Sequence, residues 1–239
     1  MNTNDSIRFQ LEVSHQWQLE TEQAGLRPQV EALERWQKDR LRQTYGDFWD
    51  RESHREAMQF FVEELYAPPN LHLRNQQMTK MLPLLFKIMP PSVLVTVEEA
   101  LSAQSLAQSL DFKTAHTLRT DGIDVETMSV EQYAAAYRSS APAEEREEQI
   151  RQIVRVGEAL EHLVNLPMIY ATLKMARWPA KVAGLSDLQT FLEHGFHAFD
   201  EMGGADDFLR SIEQREMAIA QQLRDLSTDE LDFAWRQFW

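Results

Sequence analysis

The hydrophobic positions of the chain recur with helical spacing along most of its length. The clearest case is Phe60, Phe61 and Leu65, which share one face when each residue advances by about 100° around a helix. The pair Pro68-Pro69 follows at once. Because proline donates no amide hydrogen bond and disfavours helix in the residue before it, this pair predicts the end of the helix.

Similar spacing predicts further helices, and local signals mark several of their ends. Ser129 opens a capping box with Gln132, and Gly203-Gly204 has the position that glycine takes after a helix. The expected helices cover residues 5–24, 27–45, a stretch that ends at Tyr66, 75–89, 92–110, a helix opened by Ser129, 143–166, a further piece to about residue 176, 187–202 and 205–226.

Several breaks are expected between or within these helices. Residues 46–50 and 111–128 read as irregular, the latter with a turn at Asp121-Gly122. Proline is expected to kink one helix at Pro83 and to interrupt another at Pro179. Serine is expected to act as N-cap at the starts of two helices, Ser92 and Ser186.

The fold class expected from this pattern is all-α. No run of β-branched residues is bounded by hairpin turns, so every firm element is a helix. We expect an irregular multi-helix bundle of about nine to eleven helices, several of them kinked or ended by proline. The 239 residues suit a single domain over residues 1–239, with a possible subdomain boundary near residues 139–143.

Charge and composition narrow the functional classes. The chain has 24 basic and 38 acidic residues, hence a formal charge of −14, which repels nucleic acid and anionic lipid as whole surfaces. The absence of cysteine excludes disulfides, thiolate metal sites and cysteine nucleophiles. The first residues do not resemble a signal peptide, and no apolar run approaches the ~18 residues that span a bilayer. A cytoplasmic protein without nucleic-acid or membrane partners is therefore expected.

Glu64 and Arg74 form the first candidate site. Glu64 lies on the apolar side of its helix, where a carboxylate needs a partner. A proline-stiffened turn brings Arg74 back towards it. The favoured interpretation is a corner held by this ion pair. The alternative is a ligand site at which Glu64, Tyr66, His72 and Arg74 converge.

A metal site is the second candidate. His194, His197 and Glu201 share one helix face, and these side chains suit zinc, iron or manganese. The apolar side of that helix lies opposite, so a solvated face is the favoured interpretation and no cofactor is predicted. Glu161 and His162 lack the Glu-x-x-His spacing of diiron bundles.

Two further segments suggest contact with a partner. Residues 162–186 contain Lys174, Arg177 and Lys181 but no acidic residue, with Trp178 beside them. This basic island suits a phosphate, a nucleotide or an acidic partner surface, although neutralising the protein's own acidic helices is the simpler interpretation. The end of the chain is expected to dock on the core or to contact another chain, through Phe233, Trp235, Phe238 and Trp239.

Two windows resemble a group of uncharacterised proteobacterial proteins. Residues 60–75 resemble a Phe-Phe-x-x-Asp-Leu-Tyr-Gly-Pro…Arg-Asp pattern, with Glu64 and Asn75 in place of the two aspartates and Ala67 in place of the glycine. The second window contains Met202-Gly203-Gly204-Ala205 and the following Phe-Leu pair. The resemblance implies no established activity.

Binding is the function that these observations favour. The chain lacks Gly-x-Ser-x-Gly, Gly-x-x-x-x-Gly-Lys and Gly-x-Gly-x-x-Gly motifs. We expect a protein-interaction module or a small-ligand carrier, with an unknown protein partner or self-association. The alternative is an enzyme or a metal- or cofactor-dependent protein with a site between helices, around Glu64, Arg74, Glu161 and His162.

Overall fold

Helices account for nearly all of the ordered secondary structure. The computed structural model describes residues 1–66, 68, 70–166 and 168–225, which hold α-helices and no strand. The four aromatic residues Phe233, Trp235, Phe238 and Trp239, and the capping box expected at residues 227–230, lie outside these ranges. The helices are α1 Thr3–Gln23, α2 Arg27–Thr44, α3 Gly46–Trp49, α4 Glu52–Phe60, α5 Leu71–Ile88, α6 Pro91–Thr120, α7 Val130–Ser140, α8 Ala143–Val164, α9 Ile169–Val182, α10 Ser186–Met202 and α11 Asp206–Asp225. The expected all-α multi-helix bundle is confirmed.

Three of the expected local signals are confirmed. The capping box is present in full, since the Ser129 hydroxyl accepts from the Gln132 amide and the Gln132 side chain accepts from the Ser129 amide. Gly203 ends α10 with a φ of 68°, a left-handed conformation that favours glycine. The turn at Asp121-Gly122 is also confirmed.

The long helix α6 corrects two boundaries. It begins at Pro91 rather than with Ser92 as its cap, because proline is pre-organised for the first helical position and needs no amide partner there. It continues to Thr120, through residues that were expected to be irregular. The reason lies in its buried face, where Ser109, Asp111 and Thr114 interrupt the apolar pattern. Polar residues at core positions concealed the helical period.

Three other expectations about helix ends are wrong. Pro179 lies within α9 and does not interrupt it, because Pro179 and Met175 are both exposed and solvent can bond the carbonyl that loses its donor. Residues 46–49 form the short helix α3. The N-cap of α10 is Leu185, with no side-chain cap from Ser186.

Helix α6 organises the packing. It contacts α1, α2, α7 and α8, while α11 packs along α8 and α10 packs on α4. Three clusters of buried apolar residues result, centred on Phe208, Leu118 and Ile7. None of the described helices has the length and apolar character needed to cross a membrane. The single domain and the boundary near residues 139–143 stay predictions.

A π-helical turn connects α4 to the corner at Pro68. Residues Phe61–Leu65 form this turn, and the Tyr66 amide donates to the Phe61 carbonyl at 2.9 Å. The extra residue in the turn changes the direction of the following side chains relative to a continuous α-helix. Tyr66 thereby leaves the helix surface and enters the protein interior.

Replacing Gly195 by alanine tests the packing of α10 on α4. A Cβ atom at Gly195 would lie 2.6 Å from Cζ of Phe60, whose ring stacks on Phe191 at 5.3 Å. Overpacking should lower the free energy of unfolding by about 1–3 kcal/mol, although alanine is the better helix former by about 1 kcal/mol. Denaturant unfolding measures the change.

Gly46→Ala is the matched control, because a Cβ atom there would meet nothing within 4 Å. It should leave stability unchanged or slightly higher. Equal stability of the two variants would contradict the close approach of α10 to Phe60.

Candidate functional site

A group of polar side chains lies at the centre of the bundle, where α2, α6, α7, α8 and α11 face one another. We call it the interior polar cluster. Its members occupy positions that apolar residues hold elsewhere on the same helices; Gln37, for example, lies one turn from Leu33 and one turn from Leu41, both buried. The cluster consists of Gln37, Arg40, Tyr45, Tyr66, Asp111, Tyr133, Tyr137, Arg146 and Glu216.

Gln37 connects two of the tyrosines. The Tyr66 hydroxyl donates to Oε1 of Gln37, and Nε2 of Gln37 lies 3.4 Å from the Tyr133 hydroxyl. Burial raises the pKa of Tyr66 and of Tyr133 above the usual value of a phenol. Both rings are therefore neutral near pH 7, with hydroxyl groups that serve as hydrogen-bond donors and acceptors.

Arg40 and Glu216 form an ion pair between α2 and α11, with side chains only 13% and 16% exposed. The Tyr45 hydroxyl donates to the same carboxylate at 3.0 Å. Burial, the largest single effect, opposes the charge of Arg40, but the charge of Glu216, its hydrogen bond and the nearby tyrosines together outweigh it and raise the pKa of the guanidinium. The pair satisfies both charges inside the protein, as a buried ion pair must.

Arg146 is only partly satisfied. Its Nη2 atom donates to Oγ1 of Thr114 at 2.7 Å and to Oγ of Ser140 at 2.8 Å, and its guanidinium lies 4.2 Å from the ring centroid of Tyr137. The residue is 4% exposed, yet its Nε–H group has no hydrogen-bond partner in the described structure. An unsatisfied buried donor costs roughly 1–3 kcal/mol, and more when it is charged.

Two carboxyl groups near Arg146 and Gln37 titrate close to neutral pH. Burial raises the pKa of Asp111 to about 6, although the charge of Arg146 and a hydrogen bond from Gln37 lower it. Burial and the charge of Asp111 raise the pKa of Glu34 to about 8. Such shifted carboxyl groups are concentrated at functional sites more often than at structural ones.

The cluster lines a cavity of about 70 Å³. This space exceeds what one water molecule requires. The polar residues that line it include Arg40, Asp111, Arg146 and Gln149. The apolar residues that line it include Leu41, Phe61, Ile150, Ile153, Ile212 and Ile219.

Of the residues proposed to converge around Glu64, Arg74 contacts it, whereas Tyr66 and His72 have other partners. Nη2 of Arg74 donates to the backbone carbonyl of Glu64 at 2.9 Å, and the guanidinium lies over the Phe191 ring. The Glu64 carboxylate instead contacts Nδ1 of His194, from α10. The corner is therefore held by Arg74, but through the main chain. His72 is exposed on α5, and Tyr66 joins the interior polar cluster.

Burial around Arg74 acts on its charge. It lowers the pKa of the guanidinium to about 10, and the nearby Glu64 opposes this effect. Arg74 therefore stays protonated near pH 7, and the guanidinium retains its positive charge over the Phe191 ring.

The candidate metal ligands have other partners. His194 and His197 are half-buried rather than solvated, with His197 3.4 Å from the Tyr170 hydroxyl, while Glu201 is exposed. The expectation of a solvated face missed His194 because its partner Glu64 is 130 residues away. Within the described ranges no three His, Asp or Glu residues come together as metal ligands.

The enzyme alternative requires Glu64, Arg74, Glu161 and His162 to form one site. In the structure, Glu161 has another hydrogen-bond partner and His162 is exposed. Oε1 of Glu161 accepts from the Ala205 amide at 2.8 Å and so caps the loop before α11. Among the described residues, no hydrogen bond or ion pair connects Glu161 to Glu64 or Arg74.

The basic island lies on α9. Arg177 makes two hydrogen bonds with the Glu193 carboxylate, at 2.7 and 2.6 Å, so this residue neutralises an acid of the neighbouring helix. Lys174 lies 4.1 Å from the ring centroid of Tyr170. Trp178 and Lys181 are exposed.

Comparison with known proteins gives a family. Residues 16–230 match the family described as Domain of unknown function (DUF8198). The chain belongs to that family. No curated protein and no solved structure matches it. Membership of DUF8198 confirms the expectation of an uncharacterised family, whereas the proteobacterial origin stays a prediction.

Sequence reasoning missed most of the interior polar cluster of this DUF8198 chain. It placed Tyr66 at the end of a helix and in a candidate ligand site, but it did not identify Asp111 or Arg146. A usable signal existed, because a charged residue that replaces an apolar one on the buried stripe of a helix predicts a partner inside the core. The signal at Asp111 was lost when residues 111–128 were read as irregular.

Asp111→Asn should stabilise the protein at high pH. A pKa raised from 3.8 to about 6 means that the folded protein holds the Asp111 proton more tightly than the unfolded chain does. Ionising Asp111 in the folded protein therefore lowers the free energy of unfolding. This loss is absent below pH 3.8, grows as pH rises, and is complete above about pH 6, where it reaches roughly 3 kcal/mol. Removing the charge should raise the free energy of unfolding at pH 8 by about this amount.

Urea unfolding at pH 4 and pH 8 measures the effect, with Asp121→Asn at the exposed end of the same helix as control. The gain should be small at pH 4 for Asp111→Asn and absent at both pH values for the control. Destabilisation at pH 8 would mean that the Asp111 charge is well compensated in the folded protein.

Proposed function

We propose that this protein binds a small molecule that carries a carboxylate group, in the cavity of the interior polar cluster. The observation that carries the proposal is the unpartnered Nε–H of Arg146, a residue that lines this cavity. A guanidinium presents planar donors that match a carboxylate, and a ligand oxygen would satisfy the donor that the protein leaves without a partner.

The apolar part of the cavity lining indicates the rest of the ligand. Phe61, Ile150 and Ile212 line the same cavity as the charged groups. A volume of about 70 Å³ admits a body of only a few carbon atoms. A short-chain carboxylic acid combines these properties.

Asp111 gives the site a dependence on pH. A ligand carboxylate beside Arg146 adds negative charge near Asp111, and a like charge raises the pKa of a carboxyl group. Binding is therefore coupled to proton uptake by Asp111. Affinity should rise as pH falls from 8 towards 6, and then level off, because Asp111 is already protonated below its pKa in the free protein.

The contacts of the described residues favour the ligand carrier over the enzyme. In the enzyme alternative, Glu64 contacts His194 and Glu161 accepts from the Ala205 amide, whereas the interior polar cluster lines a cavity. We also propose that the protein is bacterial and cytoplasmic and that it does not bind nucleic acid or lipid. The support for excluding these polyanions is the formal charge of −14.

Calorimetric titration with acetate and propionate tests the proposal. At least one probe should bind with a Kd of about 1 mM or tighter, and Arg146→Lys should weaken it at least about tenfold, because lysine keeps the charge but loses the planar donors. Arg151→Lys, exposed on the same helix, should change nothing.

Titrations at pH 8, 7 and 6 test the proton linkage with the same probes. Affinity should increase across this series for the parent chain and stay flat for Asp111→Asn. Absence of binding by every probe, or equal binding by Arg146→Lys, would refute the assignment of the site.

A further inference from the structure

The outer face of α9 exposes large apolar side chains to solvent. Met168, Met175, Trp178 and Val182 are 75%, 79%, 74% and 68% exposed. Scattered single apolar residues on a surface need no explanation, but contiguous ones mark interaction sites. These four belong to one short segment, with the exposed Ala171 between them.

Their spacing is that of a coiled-coil interface. Positions 168, 171, 175, 178 and 182 alternate by three and four residues, which is the a/d pattern of a heptad repeat. A surface helix of a globular domain normally turns such a stripe towards its own core. In α9 the stripe faces outward.

The inner face of α9 is already occupied by contacts to α10. The Tyr170 ring stacks on Phe196 with centroids 4.9 Å apart, and the Leu173 carbonyl accepts from Gln189 at 2.8 Å. Arg177 completes this side through Glu193. The helix is thus anchored by one face, and the heptad face has no partner in the described chain.

Two lysines flank the heptad face on one side. Lys174 and Lys181 hold equivalent g positions, seven residues apart, and both are exposed. Neither makes an ion pair with a described acidic residue; Lys174 contacts only the Tyr170 ring. Residues at e and g choose the partner of a coiled coil through their charge.

We propose that the outer face of α9 docks an amphipathic helix of another protein, with apolar residues at its own a and d positions and acidic residues on its flanks. Trp178 is the central anchor, since exposed tryptophans dominate interface energies. The methionines adapt to the shape of the partner. The face spans residues 168–182, so the partner helix needs about two heptads, or about 21 Å.

Charge argues against two other occupants. A second copy of α9 in antiparallel register would bring lysine against lysine at the g positions, and a parallel copy would offer only Thr172 and Pro179 at e. An anionic lipid membrane presents an extended negative surface that would face the whole chain of formal charge −14, whereas a single helix meets the two lysines locally. An acidic helix is the occupant that complements Lys174 and Lys181.

A labelled peptide of three heptads tests this docking. It carries isoleucine at a, leucine at d and glutamate at e and g, and a matched peptide carries lysine at e and g. Fluorescence anisotropy should show that the acidic peptide binds the full chain with a Kd below about 100 µM, whereas the basic peptide does not bind.

Variants connect the binding to α9. Trp178→Ala should weaken the affinity of the chain for the acidic peptide at least about tenfold. Lys174→Glu with Lys181→Glu should abolish its binding and allow the basic peptide to bind. Lys80→Glu with Lys87→Glu, on the exposed side of α5, makes the same change of net charge and should have no effect.

The proposal is wrong if neither peptide binds at about 500 µM, or if the two double variants change peptide binding equally. It is also wrong if the parent chain forms a dimer that Trp178→Ala abolishes, which would make a second copy the occupant. Retention of the chain on anionic vesicles that depends on Lys174 and Lys181 would make a lipid surface the occupant. Circular dichroism confirms that each variant is folded.

Discussion

The guanidinium of Arg146 is the charge around which the interior is arranged. It originates on α8 and bonds hydroxyl groups of α6 and α7, so one side chain connects three helices. Its attraction also keeps Asp111 from a still higher pKa. Because a buried charge is tolerated only when surrounding groups compensate it, Thr114, Ser140 and Asp111 all depend on its position.

The polar interior around Arg146 is unexpected, because a bundle of this size has enough apolar residues to fill its core with apolar side chains alone. Buried ion pairs seldom add stability over well-packed apolar side chains. Above its pKa of about 6, the ionised Asp111 destabilises the folded protein, and Arg146 has a donor without a hydrogen-bond partner. A protein keeps such features when they serve a task other than stability. We propose that ligand binding in the cavity beside them is that task.

Sequence patterns recovered what depends on local chemistry. Helix periods, the capping box at Ser129 and the glycine at Gly203 need only neighbouring residues, and the structure agrees with each. Contacts between distant residues could not be read in the same way. Glu64 was correctly expected to need a partner, but the choice of His194 over Arg74 follows from the packing of α10 on the corner. The cluster itself was missed because its polar members erase the periodicity that reveals a buried face.

A crystal structure of the protein grown with sodium bromide tests the central claim most directly, because bromide mimics an anionic ligand and its anomalous signal identifies it. We predict an anomalous peak inside the bundle, within hydrogen-bond distance of Nε of Arg146 and in the cavity that Arg146 lines. Bromide confined to the protein surface, with ordered water satisfying Nε of Arg146, would contradict it.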